Sequence, residues 1–113
     1  MRAFTAICAG TLSLALLAFG PAALADDPTL VLELKDHKFN PANPTVPANT
    51  RIKVTVKNLD STPAEFESRD FDAEKVIPGN GEITLNIGPL DAGTYDFFDE
   101  YHEQDSTTQL TVK

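Results

Sequence analysis

Donor atoms are concentrated in two short stretches of the chain. Asp99-Glu100-Tyr101-His102 closes an aromatic run that begins at Gly93-Thr94-Tyr95, and it ends in oxygen and nitrogen donors. Glu65-Phe66-Glu67 places two carboxylates two positions apart, so on an extended strand both point one way and Phe66 the other. Such groups bind cations; the same spacing also fits a solvated face over a core Phe66. Nucleophilic catalysis has no support, because Ser61, Ser68 and Ser106 have no nearby histidine in any recognisable motif. No glycine-rich phosphate loop is present either, and we assign no catalytic residue.

Residues 1–25 read as a cleaved secretory signal. Arg2 opens it, Thr11 to Phe19 is apolar but short of the ~20 residues a membrane span needs, and Ala23-Leu24-Ala25 offers small residues for cleavage. The mature domain is then 26–113, exported to the periplasm, and Cys8 leaves with the signal. What remains has no disulfide, no thiolate ligand and no cysteine nucleophile. The formal net charge of −8 becomes −9 without Arg2. An acidic surface of this kind repels nucleic acid and anionic lipid and attracts cations.

The elements that must position the donors are strands. Leu30, Leu32 and Leu34 alternate with Val31, Glu33 and Lys35; Ile52, Val54 and Val56 alternate with Lys53, Thr55 and Lys57; Ile83, Leu85 and Ile87 repeat the pattern. Two prolines in Asn40-Pro41-Ala42-Asn43-Pro44 forbid helix, Pro47 confines Thr45-Val46 to an edge, and Pro78-Gly79-Asn80-Gly81 is the strongest turn. Ala64 to Ser68 is a short strand, Asp70 to Lys75 a polar excursion with room for one helical turn, and Thr107 to Val112 the last strand. The chain is therefore expected to be all-β, a sandwich of about seven strands. If the penultimate strand continues to its end, parity puts Glu100 with His102 and Asp99 with Tyr101, so the two acids point apart. Tyr95, Phe97 and Phe98 are assigned to the core. His37 is assigned to a polar surface turn, with a place near the donor-bearing end of the folded sandwich as the alternative; Asp70, Asp72 and Glu74 are assigned to a solvated face, with a cation funnel or a second site as theirs.

Several pieces in order resemble the cupredoxin family: Lys38-Phe39-Asn40-Pro41, Val46-Pro47-Ala48-Asn49 ahead of a long alternating strand, Asn58, Ile77-Pro78-Gly79 and Gly93-Thr94-Tyr95. The resemblance implies a Greek-key β-sandwich. In the blue-copper members the pattern carries a His before the strand Phe and then Cys, His and Met near the end. Here Ala64 or Glu65 stands at the first position, Asp99 replaces the Cys, His102 survives, and Met1 is the only methionine. Without a thiolate, a type 1 copper centre is excluded. The variant resembles the cupredoxin-like domains of bacterial iron uptake systems, in the periplasm beside a membrane iron permease. That resemblance implies a metal site of Glu65, Glu67, Asp99, Glu100 and His102. It implies iron or copper as the bound ion, with Mn(II) also suited, and assistance to Fe(II) oxidation. Carboxylates with one imidazole form a hard to borderline set, and anionic oxygen favours Fe(III) over Fe(II). Competing readings are a metal carrier without redox turnover and a metal-free interaction module.

Overall fold

The computed structural model describes residues 26–113; the expected signal segment, with Cys8 and Met1, lies outside the described residues. Among the described residues, nine strands form two sheets. In order they are β1 (Thr29–Lys35), β2 (Lys38–Asn40), β3 (Thr45–Val46), β4 (Ile52–Asn58), β5 (Ala64–Ser68), β6 (Ala73–Ile77), β7 (Glu82–Ile87), β8 (Gly93–Asp99) and β9 (Thr108–Val112). One sheet runs β2-β1-β4-β7, the other β3-β9-β8-β5-β6. Parallel pairing of β1 with β4 and of β3 with β9 ties the N-terminal part of the domain into both sheets.

The alternating segments face as their period requires. Leu32, Leu34, Ile52, Val54, Val56, Leu110 and Val112 are fully buried between the sheets, with Phe39, Phe66 and Phe97 filling the middle. Phe66 meets Phe39 edge-on at 6.1 Å between ring centroids and Phe97 at 5.6 Å, within the range where aromatic pairs attract. Leu30, Ile83 and Leu85 are only half-buried at the margin.

Three expectations are refined. The strands number nine where about seven are expected, because β2 and β6, besides the expected edge piece β3, each pair with a neighbour. The stretch read as a polar excursion is in part β6, an edge strand whose Glu74, Lys75 and Val76 are all exposed, so it carries no alternation to betray it. Phe98 is buried, but not in the main core: it lies on the other face of β8, under the Arg69 guanidinium at 4.6 Å. Tyr95 is half-buried against the core, and its hydroxyl donates to the Asp91 carbonyl.

One end of the sandwich is fixed by polar contacts. Asn58, fully buried at the end of β4, donates through Nδ2 to the Thr62 carbonyl at 2.8 Å, and its Oδ1 accepts from Asp60 N–H at 3.0 Å. The Pro78–Gly81 turn packs against the same loop so closely that a Cβ on Gly79 would fall 2.0 Å from the Ser61 carbonyl oxygen. Only glycine fits there.

Candidate metal centre

Three loops meet at this end: the β1–β2 turn, the loop after β4, and the segment after β8. Strand β8 stops at Asp99, and Glu100–His102 forms a single 3-10 turn leading into a short helix, α1 (Glu103–Ser106). Asp99 starts the turn by accepting Tyr101 N–H at 3.1 Å through Oδ1. Ser106 holds the other side, accepting Asp99 N–H at 2.7 Å and donating to the Asp99 carbonyl. A 3-10 turn repeats every three residues, so Asp99 and His102 share one side and Glu100 falls on another. Strand parity therefore fails beyond Asp99: the pairing of Glu100 with His102 is replaced by Asp99 with His102.

The result is two adjacent groups of donors. In the first, ligand atoms of His37, Asp99 and His102 lie within 4.8 Å of one another; in the second, those of Glu65, Glu67 and Glu100 do. Every residue of the sequence-derived site is thus at the same end of the sandwich, divided between two clusters. They are joined through Asp99, whose Oδ1 also accepts Glu65 N–H at 2.9 Å. Asp99 is only 1 % exposed, and its Oδ2 faces His102 Nδ1 at 3.3 Å.

His37 keeps its place in a polar turn, one third exposed, and that turn also brings it to the donors. It sits in the β1–β2 turn, and its ring stacks on that of His102 at 3.5 Å between centroids and 14° between planes. Its surface assignment rested on polar neighbours in the chain, and the only available signal was its place at the tip of a two-residue hairpin. Parallel rings aim their lone pairs side by side rather than at one point, so a shared ion requires them to splay by side-chain rotation.

The acidic group is electrostatically loaded. A proton shared with Glu74, then burial, then the charges of Glu100, Glu74 and Glu67 push Glu65 up from the ordinary 4.5 to about 7. Glu67 is raised by a shared proton with Glu100, by burial and by the Glu100 and Glu74 charges, with Arg69 opposing. One buried oxygen, Glu67 Oε2, has no hydrogen-bond partner among the described residues. Glu74 stands opposite Glu67 across β5 and β6, so it borders this cluster while remaining on the exposed face assigned to it. Asp70 accepts Asp96 N–H, in the middle of β8, at 2.7 Å. Tyr101 is half-exposed beside Glu65; burial and then the Glu65 charge raise its phenol.

A sign follows for pH. Between the ordinary carboxylate value and about 7, the fold holds a proton on Glu65 that the unfolded chain has released. This contribution is fully present at low pH and is lost as pH rises through about 7. Glu65→Gln should therefore raise the melting temperature of the metal-free protein at pH 8, on the order of a few degrees. The same change should weaken metal binding. Because an ion must displace the proton, wild-type affinity should climb up to roughly tenfold per pH unit toward neutrality and flatten above it. A melting temperature for E65Q at pH 8 below that of the wild type contradicts the loading.

Comparison with known proteins agrees with this architecture. The model of the cupredoxin-like domain family matches residues 6–112, and the chain belongs to that family. An uncharacterized protein of Rickettsia prowazekii (strain Madrid E) is 38% identical over 72 residues, or 64% of this chain; the match spans 58% of that relative, a little over half its length. Among solved structures, auracyanin A, a blue copper protein from Chloroflexus aurantiacus, superposes with a TM-score of 0.66 at 13% identity, covering 75% of this chain and 98% of that one. A purple cupredoxin from Nitrosopumilus maritimus gives 0.56 at 19% identity, covering 77% and 100%. The metal-binding domain of the Cu(I)-exporting ATPase CopA of Streptococcus pneumoniae gives 0.61 at 13%, covering 75% and 84%. At these identities the likeness is one of fold.

The donor set decides which ion fits. Residues 26–113 contain neither cysteine nor methionine, so a type 1 copper centre does not fit. Two imidazoles with a buried carboxylate, beside three glutamates and an orphaned carboxylate oxygen, do fit a harder divalent or trivalent cation.

Proposed function

We propose that this protein is a periplasmic metal-binding member of a ferrous iron uptake system, which binds iron or copper and assists Fe(II) oxidation before a membrane permease. The observation that carries the reading is the meeting of His37, Asp99 and His102 with Glu65, Glu67 and Glu100 at one end of the sandwich. The nitrogen-bearing cluster suits Cu(II), and the all-carboxylate cluster suits iron as substrate. Anionic oxygen ligands stabilise Fe(III) more than Fe(II), which lowers the potential and eases oxidation. Each Fe(II) gives up one electron, with dioxygen as the final acceptor; bound copper would supply a one-electron relay between them. The protein's part is to hold Fe(II) on Glu65, Glu67 and Glu100, to take up its charge, and to release the proton shared by Glu65. A net acidic domain draws cations toward the site.

The test is aerobic Fe(II) consumption, followed with a ferrous chelator, with and without one equivalent of Cu(II). Consumption well above the protein-free background, and lost in E65Q/E67Q, supports the reading. Tight binding with background consumption leaves a carrier without turnover. Calorimetry that detects no binding of Fe(II), Cu(II) or Mn(II) leaves an interaction module and defeats the metal reading.

A further inference from the structure

The turn that carries His37 places a histidine where a glycine is usual. Lys35 pairs with Lys38 across β1 and β2, so Asp36 and His37 make a two-residue hairpin turn with φ of 50° and 60°. Both values are in the left-handed region, which such turns ordinarily fill with Asn-Gly or Gly-Gly. Asp36 suits its position, as in Asp-Gly turns, but His37 stands where glycine is usual, so the turn gains from support outside it. Asp60, in the loop after β4, provides it: Oδ1 accepts Asp36 N–H at 2.8 Å and Oδ2 accepts His37 N–H at 3.1 Å.

Asp60 is itself held in place. Its N–H donates to Asn58 Oδ1, and its carbonyl accepts Asn80 N–H at 2.8 Å, so the loop and the Pro78–Gly81 turn fix both sides of the residue. Its side chain is 16% exposed, and Oδ2 lies 3.7 Å from His37 Nδ1. That is longer than a hydrogen bond but within ion-pair range. Each imidazole of the stacked pair is thus faced at Nδ1 by its own carboxylate, His37 by Asp60 and His102 by Asp99.

We propose that Asp60 is the positioning residue of the His37 ligand, locking the turn through its two N–H groups and favouring the Nδ1–H tautomer so that Nε2 is the nitrogen left for a cation. The inference rests on the reading of His37, Asp99 and His102 as a cation site. An acceptor on one ring nitrogen sets which nitrogen carries the proton and orients the ring, and loss of such a partner typically weakens metal binding about 10–100-fold. Asp60 touches no ion in this scheme; it acts through His37.

The experiment is long-range 1H–15N correlation of the histidines in the metal-free protein at pH 8, with Cu(II) affinity by calorimetry on the same samples. Wild type should show His37 protonated at Nδ1. Asp60→Asn keeps one oxygen for Asp36 N–H, but an amide in place of Oδ2 gives up the His37 N–H bond and presents a donor toward Nδ1, so the proton should move to Nε2 and Cu(II) affinity should fall about tenfold or more. A wild-type His37 protonated at Nε2 overturns the proposal without any variant. So does an Asp60→Asn protein with unchanged tautomer and wild-type affinity. His37→Ala separates the two levels of the argument. If it weakens Cu(II) binding while Asp60→Asn does not, only the positioning role fails. If His37→Ala has no effect, the cation site itself is wrong and the Asp60 role falls with it.

Discussion

Replacing His37 and His102 together by alanine should lower Cu(II) affinity by about 100-fold or more while leaving the fold intact. The magnitude assumes that each imidazole contributes at least a factor of ten, about 1.4 kcal/mol. The rings are the only nitrogen donors in the two clusters, and removing both leaves carboxylates alone, a set that gives up the extra preference imidazole confers on Cu(II) over harder ions. The fold should tolerate the change because both side chains are about one third exposed and sit on turns outside the core. Circular dichroism and the urea midpoint of the metal-free variant should match those of wild type within error. Relative preference should shift as well: Mn(II), which is content with oxygen, should lose less affinity than Cu(II). A double variant that binds Cu(II) as tightly as wild type would falsify the nitrogen-bearing cluster. The single His37→Ala variant is the more telling half, because this histidine entered the site from the structure alone.

Phe66→Ala should be the most damaging single change to stability, costing about 3–5 kcal/mol. Phe66 is 1 % exposed and joins Phe39, Phe71 and Phe97 in the aromatic centre of the core. Small domains are typically stable by only about 5–15 kcal/mol, so the loss removes a large share of the total. The effect should reach function because Phe66 stands between Glu65 and Glu67 on β5 and is opposite Asp99 on β8. Packing that ring is what pins both carboxylates at the mouth of the site. Urea denaturation should show the midpoint falling with little change in slope, and Phe66→Leu, which keeps more of the volume, should lose less. An ion bound only by the folded form should recover part of the loss, about 2.7 kcal/mol at a free concentration 100 times its dissociation constant. If Phe66→Ala unfolds at the wild-type urea concentration, the core assignment is wrong.

Much of this molecule is written in local patterns. Alternation at Ile52, Val54 and Val56 marked β4 and its inward face, because a pleated strand with one side in the core needs apolar residues at every second position. The Pro78–Gly81 turn and the common direction of Glu65 and Glu67 were legible for the same reason: each depends on neighbours within a few residues. The lack of cysteine and methionine between residues 26 and 113 excluded a type 1 copper centre before any fold was known.

What the tertiary structure alone decided is the company each donor keeps. His37 and His102 are 65 positions apart and meet because the β1–β2 hairpin and the turn after β8 come together at one end of the sandwich. Nothing near His37 in the chain records that. The division of the acids likewise depended on where β8 stops: ending at Asp99 changes the repeat from two to three, sending Asp99 to His102 and Glu100 to the glutamates. β6 escaped notice because an edge strand with three exposed residues in a row carries no periodic signal. Sequence period reports which side of an element is dry; it does not report which loops meet, and a site built from loop ends is set by that meeting.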